Sequence, residues 1–521
     1  MARYIMTVCT SHHPPNSSCS PPHSSMLSLL LNVAAIWLCA SAQNVTVLQQ
    51  TLAAHGVSAV YPGDITFRNV SKAFNERFTF APIAVAFPTS VAQVSAAVAA
   101  GAAQNLEVVA RSGGHSYIAN GLGGRNGALV VDMSKLKAIT FRPSNNTAII
   151  ETGNRLGDVA LALNANGRAL PHGTCSYVGI GGHSGYGGFG FTSRAWGLTL
   201  DTVRSATVVL GNGTVVSASS NVNPDLFFAI RGASPSFGIV TSIEVQTFPA
   251  PPSAIVFEYT WNNLDIQTAS NGIASFQTFA ASNIPPEFGA ELVFTAGHKK
   301  GLVNFGLTGA YYGDAKLFNS TLAPYLKTLP KTPSNATITP GSYINSVAVL
   351  AEPMALNTSS APDSPNTFYT KSLMTPSGAP MSQAAITAFV TYMANQGFTS
   401  DTDWFVEVEL YGGTNSAINA VPLDSTAFAK RDTLFTIQFY ASSSNGRPPY
   451  PNDGFSFLDG MVASIINNSP SNWNYGAYLN YIDDRLTNAA NLYYGSHYQR
   501  LKSLKAALDP KDTFRFPVGV A

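Results

Sequence analysis

Residues 172–190 read HGTCSYVGIGGHSGYGGFG, and residues 111–117 read RSGGHSY. Eight of the nineteen residues in the longer stretch are glycine, so its backbone can approach a ligand closely and offer bare N–H groups to it. A flexible glycine loop is the plainer reading of either stretch alone. Two such stretches, one of them carrying a cysteine, favour a ligand site. Gly185, Gly187 and Gly190 fit the G-x-G-x-x-G spacing, but no apolar strand precedes them and no clear helix follows. The βαβ setting that gives this fingerprint its meaning is missing, which argues against a nicotinamide Rossmann site. The chain also lacks a G-x-S-x-G elbow, an H-E-x-x-H pair and a Walker loop, so hydrolase, zinc-protease and triphosphatase chemistry are disfavoured and no metal is expected.

Outward from these stretches, the first half of the chain alternates strands and helices. Ser90-Val-Ala-Gln93 is a capping box opening a helix with Val91, Val94 and Val98 on one face. Leu106–Ala110 reads as a strand that empties into the 111–117 segment, and Ala128–Asp132 and Ala148–Glu151 read as further strands. Leu156–Asn166 reads as a helix stopped by Gly167. Thr202–Leu210 and Thr214–Ala218 form a hairpin about Gly-Asn-Gly. Pro249–Pro252 marks a boundary. Beyond it, alternating runs such as Trp404–Tyr411 and Leu434–Tyr440 predict an antiparallel sheet, and the tail closes on a helix carrying Leu501, Leu504 and Leu508.

The chain has 521 residues, 45% of them hydrophobic, enough for a large core and for two or three domains. A net charge of +1 with no basic run excludes an electrostatic footprint for nucleic acid. Met26–Leu38 is an apolar run followed by Ala40-Ser41-Ala42, which predicts a signal peptide with Gln43 as the mature start and no membrane anchor. Residues 1–25 read as an upstream extension, with Met26 or Met1 as the start. Sequons at Asn44, Asn69, Asn212, Asn335 and Asn357 agree with a secreted, extracellular glycoprotein. Cys9, Cys19 and Cys39 precede the expected cleavage, so the mature chain keeps Cys175 alone and can form no internal disulfide. A lone thiol in an oxidising compartment is either an inert core cysteine or a group with a task.

R-S-G-G-H-S-Y, and H-G-T-C followed by V-G-x-G-G-H, resemble the flavin-linking motifs of the vanillyl-alcohol oxidase superfamily, in particular its berberine-bridge-enzyme-like branch and the fungal glucooligosaccharide oxidases. The resemblance runs from about Gln43 to Ala521, through Tyr478-Leu-Asn-Tyr481 to the closing Asp-Pro-x-x-x-Phe-x-Phe-Pro. It implies an α+β fold in two domains. The FAD-binding domain would span 43–250 and be completed by 475–521, with an antiparallel-sheet substrate domain over 251–474 and 1–42 removed. It also implies bicovalent FAD, with His115 bonded to the 8α-methyl and Cys175 to C6. Arg111, Ser112, Gly113, Gly114, Ser116, Gly181, Gly182, His183, Gly187 and Gly188 would be further cofactor contacts. Val178 stands where the family controls oxygen access to the flavin, and a valine there resembles the oxidases.

By the same resemblance Tyr481 is the catalytic base, Tyr117 lies beside the flavin, Glu409 accepts the base's proton and Gln438 completes the site. An unaided tyrosine titrates near 10 and needs such help. Pattern alone makes Glu407 and Glu409 an ordinary solvated strand face; the resemblance turns the balance. Glu407 stands where the family usually carries a neutral residue, commonly Gln. The implied reaction is oxidation of a sugar's anomeric hydroxyl to a lactone, with O2 reduced to H2O2 by a monomeric enzyme. The alternatives are a secondary-metabolite oxidase acting on an alcohol-bearing natural product, and a secreted binding protein with a redundant flavin.

Overall fold

The alternating half builds two sheets. In a computed structural model, which describes residues 45–360 and 363–521, residues 50–521 form one unit and residues 45–49 are helical. The expected signal peptide, Cys9, Cys19, Cys39 and the Asn44 sequon lie outside the described residues. A four-stranded sheet runs in the order Ser58–Val60, Ala84–Phe87, Leu129–Asp132, Val108–Arg111, the last three parallel. Helix Val91–Ala103 follows the second of these strands and buries Val94, Ala97 and Val98. The capping box closes one residue early on its return arm: Ser90 accepts from Gln93 N, while Gln93 Oε1 accepts from Thr89 N. A five-stranded antiparallel sheet contains the hairpin Val203–Val209/Val215–Ser219, turned through Gly213 at φ +84°.

Beyond Pro252 the chain forms a seven-stranded antiparallel sheet in the order Asn335–Gly341, Ala254–Asp265, Leu302–Tyr311, Phe288–Ala296, Thr402–Leu410, Thr433–Ser443, Phe368–Pro376. Successive side chains on a strand point to opposite faces. One face sends Leu292, Phe294, Val406, Val408, Ile437 and Phe439 into an apolar core shared with helices Ile266–Ala281, Gln383–Gln396 and Asp453–Ile466. The other face presents Glu291, Glu407, Glu409, Gln438 and Tyr440 to a cavity. The C-terminal segment returns across the edge strand through Met374 and Gly476, each N–H donating to the other's carbonyl. Its Leu479, Ile482, Tyr493, Tyr494 and Leu501 then join the core of the first half with Ile118, Ile150 and Val208.

One expectation about the glycine-rich stretch needs correcting. Residues Ile180–Tyr186 are a short α-helix rather than loop. Glycine costs helix stability, but packing overrides that cost: a Cβ on Gly185 would lie 2.9 Å from Ser234 Cβ, and one on Gly181 3.0 Å from Thr152 Cβ. Here the glycines serve close packing of a helix against its neighbours.

Candidate active site

Both glycine-rich segments open on one cavity of about 720 Å³, walled on its far side by the inward face of the seven-stranded sheet. The two segments touch through their backbones. A Cβ on Gly113 would lie 2.3 Å from Gly179 N, so no other residue fits there without displacing the second segment, and Gly114 turns at φ +79°. Ser112 donates to Thr152 O and accepts from Gly181 N, tying strand end, helix and loop together. Arg111 pairs with Asp132 on the neighbouring strand. Leu156 N and Gly157 N donate to Val178 O and Ser176 O, which pins the loop carrying Cys175.

His115, Cys175, Val178, Tyr117, Ser116, Gly182 and His183 all stand on the cavity wall. A Cβ on Gly182 would meet nothing within 4 Å. His183 accepts from Gly173 N at 3.1 Å, and burial, with His172 beside it, pushes its imidazole down to about 3, so it is neutral. Gly187 and Gly188 do not line the cavity. Side chains there would strike the Tyr478 ring and Thr199, so glycine at both positions lets the loop pack closely. Cys175 is bare on the wall, yet protein surrounds the cavity, and that desolvation, followed by the charge of Glu407, pushes the thiol up to about 11. A ready thiolate, expected for a nucleophile, is therefore not the resting form.

The catalytic candidates meet opposite these groups. The Tyr481 hydroxyl donates to Glu409 Oε1 at 2.8 Å, and Gln438 Nε2 donates to the Tyr117 hydroxyl at 3.1 Å. The rings of Tyr117 and Tyr481 lie parallel, 6.1 Å apart and 5° from coplanar orientation. The Tyr481 turn is anchored by Asp483, which accepts from Lys371 Nζ at 2.8 Å and from the Tyr369 hydroxyl at 2.8 Å. Tyr478 is spoken for: its hydroxyl accepts from Gly188 N and Asn480 Nδ2.

A third carboxylate, Glu291, was not anticipated. It pairs across the sheet with Glu409, and Glu407 pairs with Gln438 on the other side. One oxygen from each of Glu291, Glu407 and Glu409 lies within 4.8 Å of the others, close enough for shared protons or a cation. The proton reading fits the surroundings. Desolvation first and the neighbouring carboxylates second push Glu291 and Glu409 well above the usual range, and desolvation raises Glu407 to about 7. Glu409 Oε2 is buried without a hydrogen-bond partner, so it is the oxygen left to carry a proton or to meet whatever enters. The sequence signal for Glu291 is a single acid on the inward positions of the apolar strand FGAELVFTA, legible only once its partner strand is known.

Comparison with known proteins points to a flavin cofactor. Residues 82–219 match the family model described as FAD binding domain, and residues 477–521 match that described as Berberine and berberine like. The chain is 37% identical over 461 residues to a chitooligosaccharide oxidase of Gibberella zeae, covering 88% of this chain and 91% of that protein. It is also 37% identical over 454 residues to the FAD-linked oxidoreductase dpmaF of Metarhizium anisopliae, covering 86% of each. A glucooligosaccharide oxidase structure from Acremonium strictum, described as carrying 6-S-cysteinyl, 8α-N1-histidyl FAD, superposes with a TM-score of 0.83 at 34% identity, over 91% of this chain and 99% of that one. The cavity fits such a group: it is roomy, glycine-lined on one side, and bears His115 and Cys175 on its wall. Among the described residues no helix is long and apolar enough to cross a membrane. With its paired flavin motifs, its mixed helix-and-sheet fold and these relatives, the chain belongs to the berberine-bridge-enzyme-like FAD-linked oxidoreductases of the vanillyl-alcohol oxidase superfamily.

Proposed function

We propose that this enzyme is a secreted, monomeric oxidase that holds FAD through both His115 and Cys175. It converts the anomeric hydroxyl of a sugar or oligosaccharide to a lactone and reduces O2 to H2O2. The observation that carries the reading is the Tyr481–Glu409 hydrogen bond of 2.8 Å on the wall of the cavity that also displays His115 and Cys175. In this reading residues 43–250 and 475–521 hold the cofactor and 251–474 roof it. The exposed sequon residues Asn69, Asn212, Asn335 and Asn357 carry glycans.

Bound FAD supplies the hydride acceptor; the protein supplies orientation and proton handling. Tyr481 takes the proton of the substrate hydroxyl at its phenolic oxygen while passing its own to Glu409. Burial, followed by the charge of Glu409, holds the Tyr481 phenol well above 10, so the residue works as a hydrogen-bonded relay rather than a standing phenolate. A peroxide-coupled assay across reducing oligosaccharides, phenols and terpenoid alcohols tests the substrate class. Turnover confined to the non-sugar alcohols would transfer the assignment to natural-product oxidation.

The acid limb of activity has a defined sign. Glu409 accepts a proton only when ionised, so flavin reduction rises with pH through the titration of the carboxylate trio and is lost as pH falls. Glu407 raises Glu409 by charge repulsion. Glu407→Gln is therefore expected to move the acid limb of the reductive rate to lower pH. A limb that stays in place or moves upward would separate Glu407 from the proton path.

Val178 lines the cavity beside Cys175. Val178→Ile or Val178→Leu is expected to slow reoxidation of the reduced enzyme by O2 in stopped flow while leaving reduction by substrate nearly unchanged. Equal reoxidation rates would remove Val178 from oxygen access.

A further inference from the structure

The groups around His115 are not used by the oxidation itself. The His115 imidazole stacks on Phe74 with centroids 4.0 Å apart and planes 19° from parallel. Its Nε2 lies 2.7 Å from Asp363 Oδ2. The Thr358 hydroxyl donates to Asp158 at 2.6 Å, and the other Asp363 oxygen accepts from Ser364 N at 2.9 Å. Burial alone would raise the Asp363 carboxyl. The hydrogen bond with His115, with the Arg155 charge behind it, outweighs it and holds the group below the usual carboxylate range. Asp363 is therefore an ionised acceptor facing one ring nitrogen.

Which nitrogen of a histidine carries the proton is set by the hydrogen bond the other atoms offer it. A carboxylate at Nε2 selects the Nε2–H tautomer and leaves the Nδ1 lone pair free. Phe74 fixes the ring plane, so the free nitrogen has one direction to face. A simple staple between Asp363 and His115 would also place an acid here, but it would require nothing of the tautomer.

We propose that Asp363 is the positioning residue for covalent attachment at His115. It makes Nδ1 the nucleophile and stabilises the charge that the imidazole acquires; this rests on the histidyl link proposed above. In the attachment, Nδ1 forms a bond to the flavin 8α carbon, and one C–H bond of that methyl breaks with its hydrogen leaving as a proton. The two electrons left on the ring system pass, with two protons, to dioxygen, which is reduced to hydrogen peroxide. The imidazole, now carbon-substituted at Nδ1 and still protonated at Nε2, is cationic and faces the Asp363 carboxylate at hydrogen-bond distance. Removing the carboxylate removes both the tautomer selection and the counter-charge.

The test is peptide mapping by mass spectrometry of the full-length protein and its Asp363→Ala, Asp363→Asn and Asp363→Glu variants, scoring flavin separately on the His115 and Cys175 peptides. The unsubstituted protein is expected to carry flavin on both. Ala and Asn at 363 should keep the Cys175 adduct and lose most of the His115 adduct, and Glu should restore it. Full His115 occupancy in the Ala and Asn variants overturns the proposal. So does loss of both adducts together, which would make Asp363 a structural support of the pocket. If the unsubstituted protein itself lacks the His115 adduct, the histidyl link fails first and takes this inference with it.

Discussion

Tyr481→Phe is expected to slow anaerobic flavin reduction by about 10²–10⁴-fold, the range a positioned general base contributes. That corresponds to roughly 3–5 kcal/mol of transition-state stabilisation. The substitution deletes one oxygen and leaves the ring, which packs at 6.1 Å from Tyr117 and edge-on to Tyr478 at 5.1 Å, so the pocket keeps its shape. Substrate affinity should change little, because the hydroxyl matters mainly as the proton leaves. Glu409→Gln should slow the same step, since an amide cannot take the proton that Tyr481 releases. The double variant should lose less than the sum of the two single losses in free energy, because hydrogen-bonded partners act as one unit. Rapid-mixing reduction of the three variants measures all of this. Reduction of Tyr481→Phe at the unsubstituted rate would pass the role to another group, and Tyr117, whose hydroxyl already accepts from Gln438, would be the first to examine.

The second large effect is all-or-none. The flavin should stay with the polypeptide through acid precipitation, and Cys175→Ala should leave it attached through His115. His115→Ala combined with Cys175→Ala should release it into the supernatant. The argument is geometric: the two side chains stand on one cavity wall, presented by two glycine segments in backbone contact at Gly113 and Gly179. Cys175 with its thiol raised to about 11 is the less ready nucleophile of the two, so the histidyl link should persist alone more fully than the cysteinyl one. Flavin released from the unsubstituted protein by acid would end the double-linkage reading.

Much of this site was legible as sequence because its parts are local patterns. The alternation in Trp404–Tyr411 placed Glu407 and Glu409 on one face, and the structure puts that face on the cavity with Val406 and Val408 behind it. His115, Cys175 and Val178, carried by the two motifs, line one cavity in the structure. What stayed hidden depends on contacts distant in sequence. Glu291 joins Glu409 only through strand register between 288–296 and 402–410, which no local period encodes. Asp363 sits in an irregular segment whose composition signals a loop and nothing about its partner, His115. The helix at Ile180–Tyr186 was hidden because glycine propensity argues against it, while close packing against Thr152 and Ser234 favours it. At Gly187 and Gly188 the close approach of Tyr478 and Thr199, two more distant partners, is what leaves no room for a side chain.

The most direct test of anomeric oxidation compares a reducing oligosaccharide with its methyl glycoside, measuring peroxide and lactone together. The glycoside differs only in capping the hydroxyl whose proton Tyr481 is assigned to take. The expected result is peroxide and lactone in equal amounts from the reducing sugar and neither from the glycoside. Comparable peroxide from both, or peroxide from the sugar with no lactone, would contradict it.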